Sequence, residues 1–111
     1  MGQFGKTAVR AAEYTQIGMQ PECAWKKAVE ETISSQSSRD KGCPKGAFLG
    51  LYSFDCGLNA SYAKHAIEIL RANPTKHFTA RELWNAIGNQ GKAHNQQMDV
   101  VLSLWSEGYI D

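Results

Sequence analysis

The chain has 111 residues, with 12 Lys and Arg residues against 11 Asp and Glu residues. This length predicts one domain with one modest core, and the near-neutral charge excludes a general attraction to nucleic acid or to an anionic membrane. No apolar stretch reaches the ~20 residues of a membrane span, and the N-terminal sequence lacks the apolar run of a signal peptide. We therefore expect a cytoplasmic protein whose three cysteines are reduced thiols, since none lies in a CxxC spacing.

Two helices are predicted in the first third of the chain. Small and aromatic residues at helical spacing predict a helix over residues 6–17, which ends at Gly18. Pro21 occupies the place of a first helical residue, and an apolar stripe that includes Trp25 predicts a second helix from Pro21 to Ile33.

Residues 34–42 contain no apolar side chain and are rich in serine and glycine. Because such a segment has nothing to pack, we expect a mobile connection that does not divide domains. The apolar run that follows predicts a largely enclosed, central helix from Pro44 to Phe54. Gly46 and Gly50 lie four residues apart in it, which favours a close approach by another helix or, less commonly, by a ligand.

Three further helices are predicted in residues 59–111. An apolar stripe predicts one helix over residues 60–72, and Thr79 with Glu82 forms a T-x-x-E capping box that opens the next. After the polar link GNQGKAH, a last helix contains residues 98–105 and ends near Gly108. Since no strand pattern is present, we predict an all-α fold of about six helices in one compact domain, residues 1–111.

Cys43 is the first candidate functional residue. If Pro44 is the first helical residue, Cys43 is the N-cap, and its sulfur lies near unpaired backbone amides with Lys41 and Lys45 close by. This environment favours a thiolate, and it also describes a small anion pocket. A thiol enzyme would need a base, and no histidine lies at a local spacing from Cys43. The third interpretation is that Cys43 is a small residue that tolerates burial.

The stretches AIEILRANPTKHFTARELWNAIG and NQQMDVVLSLWSEGYID resemble the winged helix-turn-helix pattern over about half of the chain. The resemblance implies a DNA-binding regulator whose third helix enters the major groove. By position, its base contacts would come from His94, Asn95, Gln96 and Gln97, since Asn and Gln can pair with adenine. Residues 59–111 carry five basic and five acidic side chains, and no hairpin follows to form the wing. Nucleic acid is therefore a disfavoured partner.

The stretches KGCPKGAFLGL and GKAHNQQMDVVLSLW are together similar to a family of small bacterial proteins with a domain of unknown function. The similarity runs over most of the chain and implies a single compact domain in a bacterial protein. It implies no activity, cofactor or catalytic residue. Both stretches contain residues that local chemistry also singles out, namely Cys43 with its lysines and the turn at residues 92–95.

These observations predict a non-catalytic module that binds a ligand or another protein, with a small anion as the expected ligand class. The predicted site is a polar rim formed by Lys41, Cys43, Lys45, Lys92, His94 and Asn95. We predict no cofactor, and no metal, because Cys43, Cys56 and His65 match no short zinc spacing. The two alternatives are a DNA-binding transcriptional regulator and a thiol-dependent enzyme that uses Cys43.

Overall fold

The structure, a computed structural model, describes residues 2–53 and 57–110, which form helices and no strand. In chain order the helices are α1 (Gly2–Gln16), α2 (Pro21–Thr32), the single turn α3 (Gln36–Arg39), α4 (Gly42–Tyr52), α5 (Leu58–Ala72), α6 (Ala80–Trp84) and α7 (Gln97–Ser106). A π-helical turn (Asn85–Asn89) continues α6. The predicted all-α class is confirmed. No helix in the described part of the chain has the length and apolarity needed to cross a membrane.

α7 is the most enclosed of these helices. Its buried residues run almost without interruption from Gln97 to Leu104, and it packs against α1, α4, α5 and α6. We predicted that α4 would be central, but Leu49 and Leu51 of α4 are only half-buried. Both helices carry apolar residues around much of their circumference, so the apolar pattern alone does not show which of them lies at the centre.

α4 and α5 approach each other closely at two glycines of α4, which have no side chain. A Cβ atom on Gly50 would lie 2.5 Å from both the Cα and the Cβ of Ala60, and one on Gly46 would lie 2.9 Å from the Cβ of Asn59. Side chains at these two positions would therefore push the helices apart. The close helix packing predicted at Gly46 and Gly50 is confirmed.

α4 begins at Gly42, two residues before the predicted start, and its N-cap is Lys41. Cys43 is therefore not the N-cap, and both Cys43 and Pro44 lie in the first turn. Proline is tolerated throughout that turn, because the amides there have no acceptor within the helix. The predicted end of this helix at Phe54 and the third cysteine, Cys56, lie outside the described residues.

The segment of residues 34–42 contains α3, which the sequence pattern did not predict. Arg39 donates hydrogen bonds from Nε to the backbone carbonyl of Ile33 and from Nη2 to that of Glu30. The guanidinium group thereby binds carbonyls at the C-terminal end of α2 that have no partner within the helix. These bonds reach back over six and nine residues, a relation that composition does not reveal. The mobility of the segment stays a prediction.

The start of α6 is the predicted capping box. The backbone N–H of Glu82 donates to Oγ1 of Thr79 at 3.1 Å, and the backbone N–H of Thr79 donates to Oε1 of Glu82 at 2.9 Å. The π-helical turn that follows ends around Gly88, whose φ of 90° requires glycine. This turn was not predicted, because residues 83–87 continue the apolar spacing of an α-helix.

We predict that Gly50→Ala lowers the free energy of unfolding by about 1–3 kcal/mol, since the new methyl group must displace the backbone of α5. Gly42→Ala in the same helix is the matched control, because a Cβ atom at Gly42 meets no other atom within 4 Å. Alanine there should leave the stability unchanged or raise it by up to about 1 kcal/mol. Urea denaturation measures both variants, and equal effects would contradict a tight contact at Gly50.

Candidate functional site

A row of aromatic rings sets the position of α2 between α1 and α4. Phe4 stacks on Trp25 with ring centres 6.4 Å apart and an angle of 8° between the rings. The ring of Trp25 lies 5.3 Å from that of Phe48, which stacks on Tyr52 at 4.6 Å. Burial raises the pKa of Tyr52 to about 12, so its hydroxyl stays neutral. We call these four residues the aromatic row.

A groove of about 650 Å³ lies beside this row, between α2 on one side and α3 with the start of α4 on the other. The large apolar residues that line the groove are Trp25 and Val29, which are only 2% and 5% exposed. Along α2, Glu22, Lys26 and Glu30 follow one another at intervals of four residues, so they share one side of the helix. The opposite wall carries three more charged side chains, namely Arg39, Asp40 and Lys45.

The groove thus has three cations and three carboxylates, most of them without a partner of opposite charge. Lys45 Nζ lies 3.4 Å from Oε1 of Glu22. Within the described part of the chain, Lys26 and Arg39 form no ion pair with a carboxylate, and Glu30 and Asp40 form none with a cation. Two of these four groups still have hydrogen-bond partners, because Arg39 donates to the carbonyls of Ile33 and Glu30 and Asp40 accepts from Nε2 of Gln36.

Trp25, one of the residues that line the groove, has a buried hydrogen-bond donor without a partner. The side chain of Trp25 is 2% exposed, and its indole Nε1–H has no acceptor among the described residues. Such a donor costs about 1–3 kcal/mol of stability. Trp84, which is equally buried, donates its Nε1–H to the backbone carbonyl of Lys92 at 3.0 Å. Trp25 thus differs from Trp84 in having no hydrogen-bond acceptor. Its position is set by ring packing.

The six predicted site residues fall into two groups. In the first, Lys45 lines the groove, whereas Nζ of Lys41 lies 5.9 Å from the ring centre of Phe4. Cys43 is half-buried, and it is a free thiol like the exposed Cys23 of the groove. In the described part of the chain, residues of the first group contact α1 and α2. Residues of the second group contact α5, α6 and α7. The polar rim as a single site stays a prediction.

The second group holds the start of α7. Nε2 of His94 accepts a hydrogen bond from the backbone N–H of Met98 at 3.0 Å, and its ring lies 5.1 Å from that of Trp84. Lys92 accepts from Trp84 through its carbonyl, and its Nζ lies 6.0 Å from the ring centre of Tyr62. His94 is thus a helix cap. The sequence did not indicate this role, because Ser, Thr, Asp and Asn are the usual capping residues.

The residues assigned to base contacts lie in this same segment, and of the four only Asn95 is exposed. Gln97 is 2% exposed; its Nε2 donates to Oδ1 of Asn59 at 2.9 Å, and its Oε1 accepts from the backbone N–H of Asn95 at 2.8 Å. Gln96 has a left-handed backbone with a φ of 66°. Contacts between Gln97 and bases would require these internal hydrogen bonds to break. DNA binding by this segment stays a prediction.

Two side-chain amide atoms near this segment, Nδ2 of Asn89 and Oε1 of Gln96, are buried without a described partner. Neither residue lines the groove beside α2. Among the described residues, no three His, Cys, Asp or Glu side chains are placed to hold a metal ion. The groove beside α2 is therefore the strongest candidate site.

We predict that His94 makes stability depend on pH. Burial lowers the pKa of His94 below its ordinary value of 6.5, and the nearby Arg81 lowers it further, although Asp99 raises it. The unfolded chain therefore binds this proton more readily, so the free energy of unfolding should fall as the pH drops from about 7 to 5.5. Protonation would also place a hydrogen on Nε2, the atom that accepts from Met98.

Urea denaturation of His94→Gln across this pH range tests the prediction, and the variant should show a flatter pH dependence than the wild type. Burial raises the pKa of Asp99. Asp99 should therefore raise the free energy of unfolding as the pH falls, opposite to His94, and it should do so at lower pH. His65→Gln is the control, since His65 is exposed on α5, and it should keep the wild-type slope. A wild-type slope in His94→Gln would rule out this role for His94.

Comparison with known protein families gives one match. A family of unknown function (DUF6979) matches the chain in two overlapping stretches, residues 1–58 and 52–111. No curated protein and no solved structure matches it. The resemblance to a family of unknown function is thus confirmed, whereas the winged helix-turn-helix resemblance is not. Because the two stretches together cover residues 1–111, the chain belongs to the family of unknown function DUF6979.

Proposed function

We propose that this protein is a non-catalytic module that binds a small ligand in the groove between α2 and the α3–α4 segment. The groove itself carries the proposal. Its volume of about 650 Å³ lies within the range of roughly 300–1,000 Å³ that is typical of small-molecule sites.

The chemistry of the groove favours binding over catalysis. Cys23 lines the groove, but the described lining contains no histidine to act as a base for its thiol. Cys43, the nucleophile of the enzyme alternative, is absent from this lining. His94 is already bonded through Nε2 to Met98, which leaves that nitrogen unavailable as a general base.

Two-dimensional ¹H–¹⁵N NMR spectra test the proposal with four probes of different charge: benzoate, benzylamine, inorganic phosphate and the free tripeptide Ala-Ala-Phe. We expect at least one probe to shift the indole N–H signal of Trp25 together with the backbone signals of Lys26 and Arg39. The indole signal of Trp84 is the internal control, because its N–H is bonded to Lys92 away from the groove. Shifts confined to Trp84 and its neighbours, or no shift with any probe, would overturn the proposal.

A groove-filling substitution tests the location independently. Cys23 is exposed at the edge of the groove, so Cys23→Trp should fill part of the cavity without disturbing the core. We expect it to weaken binding of the active probe by about tenfold or more, since a lost apolar contact of this size is worth 1–3 kcal/mol. Gln16→Trp is the matched control, at an exposed position on α1. Equal affinities for the two variants would place the ligand elsewhere.

A further inference from the structure

We propose that the connecting segment, residues 90–96, opens when His94 is protonated, while the helices stay folded. This segment joins the π-helical turn after α6 to the start of α7. The proposal is independent of the groove beside α2. It also goes beyond the effect of pH on overall stability, because it concerns a local opening that precedes unfolding.

The connecting segment is held by few contacts. None of residues 90–96 is buried, and only His94 and Gln96 are half-buried. Three described hydrogen bonds that involve a side chain join the segment to the helices, namely those of Trp84 with Lys92, Asn95 with Gln97 and Met98 with His94. Segments with few buried apolar contacts open at a free energy far below that of global unfolding.

Two features of Gln96 make the closed segment less favourable. Its backbone is left-handed, with a φ of 66°, a conformation that is unfavourable for residues other than glycine. Its Oε1 atom is also buried without a described partner, and an unpaired buried acceptor is costly. Opening of the segment would relieve the backbone strain and let water reach Oε1.

The cap made by His94 depends on its charge. Nε2 of His94 accepts from the backbone N–H of Met98, which requires that Nε2 carries no hydrogen. Protonation makes Nε2 a donor, so this hydrogen bond is lost. It also places a positive charge at the N-terminal end of α7, where the helix dipole is unfavourable for a cation. Protonation therefore removes one of the three bonds that hold the segment.

The surroundings of His94 favour its neutral form while the segment is closed. Burial has the largest effect and lowers the pKa of His94; Asp99 of α7 raises it, and Arg81 of α6 lowers it. On the side of α5, Nζ of Lys92 lies 6.0 Å from the ring centre of Tyr62. Because the net effect lowers the pKa of His94, protonation favours the open segment, in which the ring is solvated.

Hydrogen exchange followed by NMR between about pH 7.5 and 5.5 tests the proposal. We expect the protection factors of the Met98 N–H and the Trp84 indole N–H to fall by about two- to tenfold over this range, which is the worth of one hydrogen bond. Their exchange should be nearly insensitive to low concentrations of urea, because a local opening exposes little surface.

The backbone N–H of Ala28, which is buried on α2, is the internal control. Its protection should be higher than that of Met98 and should fall steeply with urea, as expected for exchange through global unfolding. Equal protection and equal urea sensitivity at Met98 and Ala28 would overturn the proposal, because the segment would then open only when the whole protein unfolds.

Two variants assign the effect of pH to His94. His94→Gln keeps a hydrogen-bond acceptor but does not titrate, so the protection of Met98 should vary little with pH. Gln96→Gly is the matched control, because glycine adopts the left-handed conformation readily. It should raise the protection of Met98 by about two- to fivefold at every pH and keep the wild-type pH dependence. A pH dependence that survives in His94→Gln, or that disappears in Gln96→Gly, would overturn the proposal.

Discussion

The ring contacts of Trp25 are the interaction on which the structure around the groove depends. Trp25 packs against Phe4 of α1 and Phe48 of α4, and it also forms part of the groove wall. Aromatic pairs add about 0.5–1.5 kcal/mol each beyond the area that they bury. Two such contacts hold the indole in place although its N–H has no described acceptor. Packing therefore holds the indole N–H of Trp25 in a buried position without a described acceptor.

At the start of α7, the polar side chains serve the fold. Gln97 joins Asn59 of α5 to the backbone of Asn95, and His94 caps α7. These bonds lie next to the glycine contacts between α4 and α5, where Gly46 faces Asn59. Polar residues that are engaged in this way are poorly placed to recognise a ligand. The contrast with the unpaired charges beside α2 is why we assign function to the groove.

Local patterns in the sequence predicted most of the fold. Pro21 and the capping box at Thr79 act through their own neighbours, so the sequence reveals them directly. The spacing of Gly46 and Gly50 indicated a close helix contact, but not that α5 makes it. We predicted that Cys43 is the N-cap of α4 and that Pro44 is its first residue, but both lie two positions further into the helix. The sequence did not show this, because proline is compatible with every position of a first turn. The π-helical turn after α6 was missed, since its apolar spacing does not differ from that of an α-helix.

The groove could not be predicted, because it depends on contacts between distant parts of the chain. The bonds from Arg39 to the end of α2 fold residues 36–45 back along that helix. Lys26 and Glu30 then line a groove, although both stay exposed as their sequence pattern indicates. Only the structure shows that Lys45 has a partner in Glu22 and that Lys26 has none among the described residues.

The location of the bound probe tests the central claim most directly. Isotope-filtered nuclear Overhauser measurements on the labelled protein with the unlabelled probe that binds report which protein protons lie near the ligand. We expect contacts from the probe to the side chains of Cys23 and Lys26, which line the groove and are exposed. Contacts to the rings of His94 and Tyr62 instead would place the ligand at the start of α7 and would contradict the assignment of the groove.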